Sequence, residues 1–214
     1  MRLVLPRLYV ILDAALLTSP DTDCAQGLAD AGVRLLQYRN KNVSTRELFE
    51  ASKRLASLLV PQDVTFFVND RADVAAIAGA SGVHVGQEDL GVEASRSVIS
   101  AGELVGISTH NLEQFERAAA TSADYIAVGP LFATSTKANP DPVVGTGFLR
   151  QMRRLTDKPI VAIGGITLER AAEAIAAGAD CVAVISDILL APDPGHRARQ
   201  YIQQLDAANH AAAV

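Results

Sequence analysis

Ile160-Val161-Ala162-Ile163 runs into Gly164-Gly165, a helical pattern follows over 167–177, and Ala177-Gly178 leads into Cys181-Val182-Ala183-Val184-Ile185-Ser186. This stretch sets the reading of the whole chain. Two short apolar runs rich in β-branched residues flank a helix of periodic apolar positions, so the unit reads as strand, helix, parallel strand. Each run is apolar throughout, as expected for a strand covered on both faces. Ala-Gly closes the helix because glycine accepts the left-handed cap that turns the chain towards the next strand. Ala31-Gly32 repeats the device ahead of another apolar run.

The same unit recurs in both directions. Strands are expected at 8–12, 33–38, 64–68, 82–85, 104–107, 124–128, 159–163 and 181–185. Helices are expected near 22–31, 45–60, 71–79, 92–100, 111–121, 147–155, 167–177 and 194–206. Ser44 followed by Glu47 has the spacing of a capping box, and Asn111 precedes a helix carrying Leu112 and Phe115. An open doubly wound sheet would gather its ligand groups at one switch point. Here almost every strand ends in polar, charged or glycine residues, which favours a closed (β/α)8 TIM barrel with all strand C-termini at one mouth. The 214 residues fit one such domain, 1–214, with no linker or low-complexity segment.

Composition narrows the function. Hydrophobic residues make up 49% of the chain but aromatics only 5%, and tryptophan is absent, so Ala, Val, Leu and Ile must build the core. A net charge of -5 with no basic stripe argues against nucleic acid, although a few cations in one cleft can still hold a small anion. Cys24 and Cys181 make no disulfide framework and suit a reducing cytoplasm. The apolar start of the chain is broken by Pro6 and Asp13 and reads as a strand, not a secretory signal. No run reaches the ~18 apolar residues of a membrane span.

The strand ends carry the chemistry. Gln37, Arg39 and Lys41 alternate onto one side of their strand, with Tyr38 and Asn40 on the other. Two converging cations suit an anion. Asp70, in Asn69-Asp70-Arg71, and Asp89, in Gln87-Glu88-Asp89, follow neighbouring strands and can share a hard cation such as Mg2+; helix capping is the competing reading for Asp70. The connection from Gly129 to about residue 146 carries Thr134-Ser135-Thr136-Lys137 and has the length of a binding loop, but lacks Walker A glycines. Gly164-Gly165 and Ile185-Ser186 fall where barrels commonly hold a phosphate. His84 is expected to point into the barrel as a hydrogen-bonded core histidine, and His110 to neighbour the site. No zinc spacing, catalytic triad or dinucleotide fingerprint is present. The residues add up to a diphosphate site facing a monophosphate site, with electrostatic stabilisation of a departing diphosphate as the leading chemistry.

Gln37-Tyr38-Arg39-Asn40-Lys41, Val68-Asn69-Asp70-Arg71, Gly82-Val83-His84-Val85-Gly86-Gln87-Glu88-Asp89, Ser108-Thr109-His110, Thr134-Ser135-Thr136-Lys137 and Ile163-Gly164-Gly165-Ile166 together resemble the thiamine phosphate synthase family, in order and over nearly the whole chain. The resemblance implies that 4-amino-2-methyl-5-pyrimidinylmethyl diphosphate joins a thiazole phosphate, giving thiamine phosphate and diphosphate by a dissociative route. It implies that Gln37, Arg39, Lys41, Asn69, Ser108 and Lys137 bind the pyrimidine diphosphate, with Tyr38 and Asn40 included in the same run. Arg39, Lys41, Ser108 and Lys137 would serve catalysis, and Asp70 and Asp89 would hold magnesium. Thr134, Ser135, Thr136, Gly165, Ile185 and Ser186 would hold the thiazole phosphate. Tyr38 stands where the family usually has leucine, and Ala133 where proline is common. Partners are the two small substrates, with neither nucleic acid nor membrane; a homo-oligomer is compatible. The alternatives are a thiazole tautomerase-like isomerase on the same barrel and a phosphate-ligand binding protein without turnover.

Overall fold

In the computed structural model, which describes residues 3–134 and 141–212 (side chains of 208–212 excepted), eight parallel strands close into a barrel in sequence order, β1 pairing with β8. The strands are β1 (Leu8–Asp13), β2 (Leu35–Arg39), β3 (Thr65–Asn69), β4 (Gly82–Val85), β5 (Leu104–Thr109), β6 (Tyr125–Val128), β7 (Ile160–Ile163) and β8 (Cys181–Val184). The helices are α1 (Asp21–Asp30), α2 (Thr45–Leu59), α3 (Ala72–Ala78), α4 (Val92–Arg96), α5 (Leu112–Ala119), α6 (Gly145–Arg153), α7 (Leu168–Ala176), α8 (Ser186–Leu189) and α9 (Pro194–Ala212). Every strand and helix expected from the sequence is present, β4 at the expected bounds and the others with shifted ends. Three short elements were not anticipated: α8 and the 3-10 turns Ala14–Leu16 and Val60–Gln62. Each is too brief to show a periodic pattern.

Local chemistry sets the element ends. Ser44 accepts from the Glu47 amide while the Glu47 carboxylate accepts from the Ser44 amide at 2.9 Å, completing the capping box of α2. Asn111 caps α5 by accepting from the Gln114 amide at 2.9 Å. After Ala31 and Ala177, Gly32 and Gly178 take φ of +99° and +110°, the left-handed turns the Ala-Gly pairs predict.

Strand alternation divides the core into two. Val10, Leu12, Leu36, Val68, Val83, Ile126, Ala162 and Val182 face outward and pack against the helices. Tyr9, Ile11, Leu35, Phe67, Tyr125, Val161 and Ala183 face inward and fill the barrel. Tyr125 meets Tyr9 and Phe67 edge-on, with centroids 6.1 and 5.6 Å apart. Gly106 makes this packing possible: it stands in register between His84 on β4 and Tyr125 on β6, and a Cβ there would lie 2.0 Å from the Tyr125 ring. Both cysteines are free, Cys181 buried in the barrel core. Among the described residues no helix is long and apolar enough to cross a membrane.

Candidate active site

The strand C-termini open into a cavity of about 660 Å³. Gln37, Arg39, Lys41, Asn69, Asp70, Asp89, Ser108, Thr134 and Ile185 all line it, so residues spread over nearly 150 positions of sequence share one rim. Tyr38 and Asn40 do not. Alternation sends Tyr38 into the outer core, where its hydroxyl accepts from Asn40 Nδ2 at 3.2 Å, so the two satisfy each other away from the cavity. Gly165 and Ser186 also lie off the lining. Ser135, Thr136 and Lys137 lie outside the described residues.

The cationic side is built on β1 and β2. Arg39 pairs with Asp13, which is 3% exposed and also accepts from the Ala15 amide, so the guanidinium is held from behind by a fixed carboxylate. Buried charge of this kind is tolerated only when paired. Lys41 reaches Asp70 at 3.2 Å.

Asp70 sits in the left-handed region at φ +63°, unusual for a residue with a Cβ. Its amide donates to the His84 carbonyl at 2.7 Å, tying the end of β3 to β4. It is not a helix cap: Arg71 precedes α3, which has no side-chain cap bond. The capping alternative therefore falls. Burial raises the Asp70 carboxyl above the usual range, with the adjacent Asp89 adding to the rise and Lys41 opposing it. Asp89 is held in turn by the Gly86 amide at 2.8 Å. Two adjacent carboxylates whose mutual repulsion raises a pKa form a donor pair that a hard cation relieves. Among the described residues no cluster of three metal-ligating side chains exists, so a cation here would complete its shell with water and substrate oxygens.

His84 lies between two hydroxyls, Nδ1 at 2.8 Å from Tyr125 Oη and Nε2 at 2.8 Å from Ser108 Oγ. Burial pulls its pKa down to about 4, against the pull of Asp89. It is thus the hydrogen-bonded interior histidine expected from the sequence, and it also borders the cavity. His110 donates from Nδ1 to the Gly129 carbonyl at 2.6 Å, with Nε2 3.6 Å from Asp141.

Across the cavity, Gly129, Pro130, Ile163 and Gly164 form the opposite wall. The Leu131 and Phe132 amides donate to the Ile163 and Gly164 carbonyls at 2.9 and 3.0 Å, which locks the loop after β6 onto the end of β7. Gly165 is essential to that contact: at φ +63° its Cβ would meet the Ala133 carbonyl at 2.4 Å. It therefore braces the wall from behind. Ser186 opens α8 and borders a separate outer cavity with Arg197 and His196.

Several lining residues were not assigned from the sequence. Ile11 and Ile163 follow from inward alternation; Asp13, visible as a strand end but given no role, stands off the lining behind Arg39. Gln114 sits on α5 and Asp141 in a long loop, and neither carries a local signal.

Comparison with known proteins agrees with this geometry. The family described as thiamine monophosphate synthase matches residues 8–188. A thiamine-phosphate synthase of Koribacter versatilis is 51% identical over 209 residues, covering 95% of this chain and 97% of its own. One from Chloroflexus aurantiacus is 42% identical, covering 91% and 90%. Among solved structures, a thiamine phosphate pyrophosphorylase from Pyrococcus furiosus superposes with a TM-score of 0.85 at 33% identity, covering 95% and 96%.

Proposed function

This chain belongs to the thiamine monophosphate synthase family, and from that premise we infer how its residues carry out the transferase reaction of a thiamine-phosphate synthase. A pyrimidinylmethyl diphosphate gives up diphosphate, and the nitrogen of a thiazole phosphate takes the pyrimidinylmethyl group. The observation that carries the reading is the convergence of Arg39, Lys41, Asp70 and Asp89 on one cavity wall, opposite the glycine backbone at the end of β7.

Arg39 and Lys41 bind the diphosphate and stabilise the charge that grows as the carbon–oxygen bond breaks. Asp13 keeps the Arg39 guanidinium aimed, so little reorganisation is needed during the reaction. Asp70 and Asp89 would hold Mg2+, which when bound neutralises diphosphate oxygens. Lys41 would then share Asp70 with the cation. Gln37, Asn69 and Ser108 orient the pyrimidine. Lys137 binds the diphosphate, and Thr134, Ser135, Thr136 and Ile185 hold the thiazole phosphate, with Gly165 and Ser186 shaping the turns after β7 and β8. No side chain forms a covalent bond; the exocyclic amino group of the pyrimidine stabilises the cation left behind. The substrates are small molecules, and the cytoplasm is the expected compartment.

Incubation with both substrates and magnesium tests the assignment. Thiamine phosphate and diphosphate should appear in equal amounts. An isomerase on this barrel would release no diphosphate, and a binding protein would hold ligand without product; either result would refute the reading.

A further inference from the structure

Beneath the rim, one unbroken line of hydrogen bonds crosses the barrel interior. Gln37 Nε2 donates to Tyr9 Oη at 2.7 Å. Tyr9 Oη lies 3.1 Å from Tyr125 Oη, and Tyr125 Oη 2.8 Å from His84 Nδ1. His84 Nε2 lies 2.8 Å from Ser108 Oγ. The line joins five strands, and its two ends, Gln37 and Ser108, both face the cavity.

Such a line has a direction. Each phenol has one proton, and an uncharged imidazole, hydrogen-bonded here to hydroxyls and to no carboxylate, has one N–H. Gln37 donates to Tyr9; with each hydroxyl accepting one bond and donating the next, Tyr9 gives its own proton to Tyr125, and Tyr125 gives its proton to Nδ1. The imidazole N–H is then on Nε2 and donates to Ser108 Oγ. Ser108 is left to donate its proton into the cavity, while Gln37, its NH2 group engaged below, offers its carbonyl oxygen there. Arg39 on the same face of β2 and Lys41 just beyond the strand both border the cavity, and their charge favours that oxygen, not the NH2 group, on the cavity side. Reversing the line would require Gln37 to turn its amide over.

We propose that Tyr9 and Tyr125 are specificity-determining residues: by fixing Gln37 as an acceptor and Ser108 as a donor, they make the cavity select a 4-aminopyrimidine over a 4-oxopyrimidine. The amino ring offers an exocyclic N–H and an adjacent bare ring nitrogen, matching acceptor and donor. The oxo ring sets a carbonyl against the Gln37 oxygen, and its ring N–H removes the acceptor for the Ser108 proton. A site built to pair polar groups rejects the wrong partner strongly, because its own groups are left unpaired. Simple filling of the barrel does not account for the phenols, since Phe67 packs in the same aromatic cluster without a hydroxyl. The glycine at 106 clears the path by which the Tyr125 ring stacks on His84, with centroids 5.5 Å apart and planes at 23°. The ligand identity rests on the reaction proposed above; the direction of the line does not.

Two measurements test this on wild type, Tyr125→Phe and Tyr9→Phe, which keep the rings. Long-range nitrogen–proton NMR of substrate-free protein at neutral pH should show His84 with its proton on Nε2, and Tyr125→Phe should lose that fixed tautomer. The inhibition constant of the 4-oxo analogue of the pyrimidine diphosphate is then compared with the dissociation constant of the 4-amino substrate. Wild type should prefer the amino ring by at least ~10²-fold. Each phenylalanine variant should narrow the preference by about tenfold, the scale of one lost buried hydrogen bond, with affinity for inorganic diphosphate unchanged. A wild-type His84 protonated on Nδ1, or equal weakening of both rings in the variants, would overturn the proposal. The NMR result needs no substrate, so it stands apart from failure of the proposed reaction.

Discussion

Replacing Asp89 separates its two tasks. Its Oδ2 accepts the Gly86 amide at 2.8 Å, and its charge lies against Asp70 where a cation would bind. A hydrogen bond to a charged acceptor contributes about 1.5–3 kcal/mol, towards the lower end at a solvent-facing rim. Asp89→Ala removes both contributions, so it should lose about 1.5 kcal/mol of stability and turnover by ~10²-fold or more, the scale of deleting one electrostatic stabiliser. A hundredfold loss corresponds to about 2.7 kcal/mol of transition-state stabilisation. Asp89→Asn keeps an acceptor for Gly86 but not the charge. It should fold within about 0.5 kcal/mol of wild type yet lose most of the same turnover. The assay is diphosphate release with both substrates saturating, across a magnesium titration, alongside urea denaturation. Unchanged turnover for Asp89→Ala at saturating magnesium would refute the metal role. Full activity in Asp89→Asn would reduce Asp89 to a brace for the loop after β4.

Arg39→Ala leaves Asp13 buried without its partner. Breaking a fully buried pair costs about 3–5 kcal/mol; Arg39 is 24% exposed, so a loss nearer about 2 kcal/mol is expected in urea unfolding, together with weaker diphosphate binding. A variant with wild-type stability would show that the Ala15 amide alone suffices for Asp13 and that the ion pair adds nothing to folding. Gly106→Ala places a methyl 2.0 Å from the Tyr125 ring and should cost about 3 kcal/mol by overpacking; an unchanged unfolding midpoint would contradict the register described for β4, β5 and β6. Lys137→Ala should weaken diphosphate binding far more than Lys158→Ala, because Lys158 precedes β7 and donates to the Thr121 carbonyl at the opposite end of the barrel. Equal effects in a calorimetric titration would defeat the strand-end argument.

Much of the barrel was legible because both periodicities are clean. Apolar runs such as Ile160 to Ile163 end in glycine, and helices such as α2 begin with their own capping chemistry. The charged rim was legible for the same reason, since parallel strands carry Arg39, Asp70 and Asp89 to one end whatever their separation in sequence. Tyr38 shows strand alternation separating neighbours within one motif, as its place opposite Gln37 and Arg39 in the sequence predicts. It lies inside a run of cavity residues, yet the strand period turns it outward into the helix layer. Gly165 and Ser186 show a limit, because a turn can bring one residue to the cavity and leave its neighbour behind it. The interior line from Tyr9 to Ser108 was invisible for another reason: whether two inward side chains meet across a barrel depends on register between strands, and Gly106 carries that information only once β4, β5 and β6 are aligned. Asp141 and Gln114 enter from a loop and a helix that no short-range pattern directs to the mouth.

The most direct test of the shared rim is a crystal grown with diphosphate and with manganese in place of magnesium, measured for anomalous scattering. The account predicts one strong peak between Asp70 and Asp89, with diphosphate oxygens completing its shell and Arg39 and Lys41 on the far phosphate. A manganese peak away from those carboxylates, or diphosphate bound elsewhere on the barrel, would contradict it.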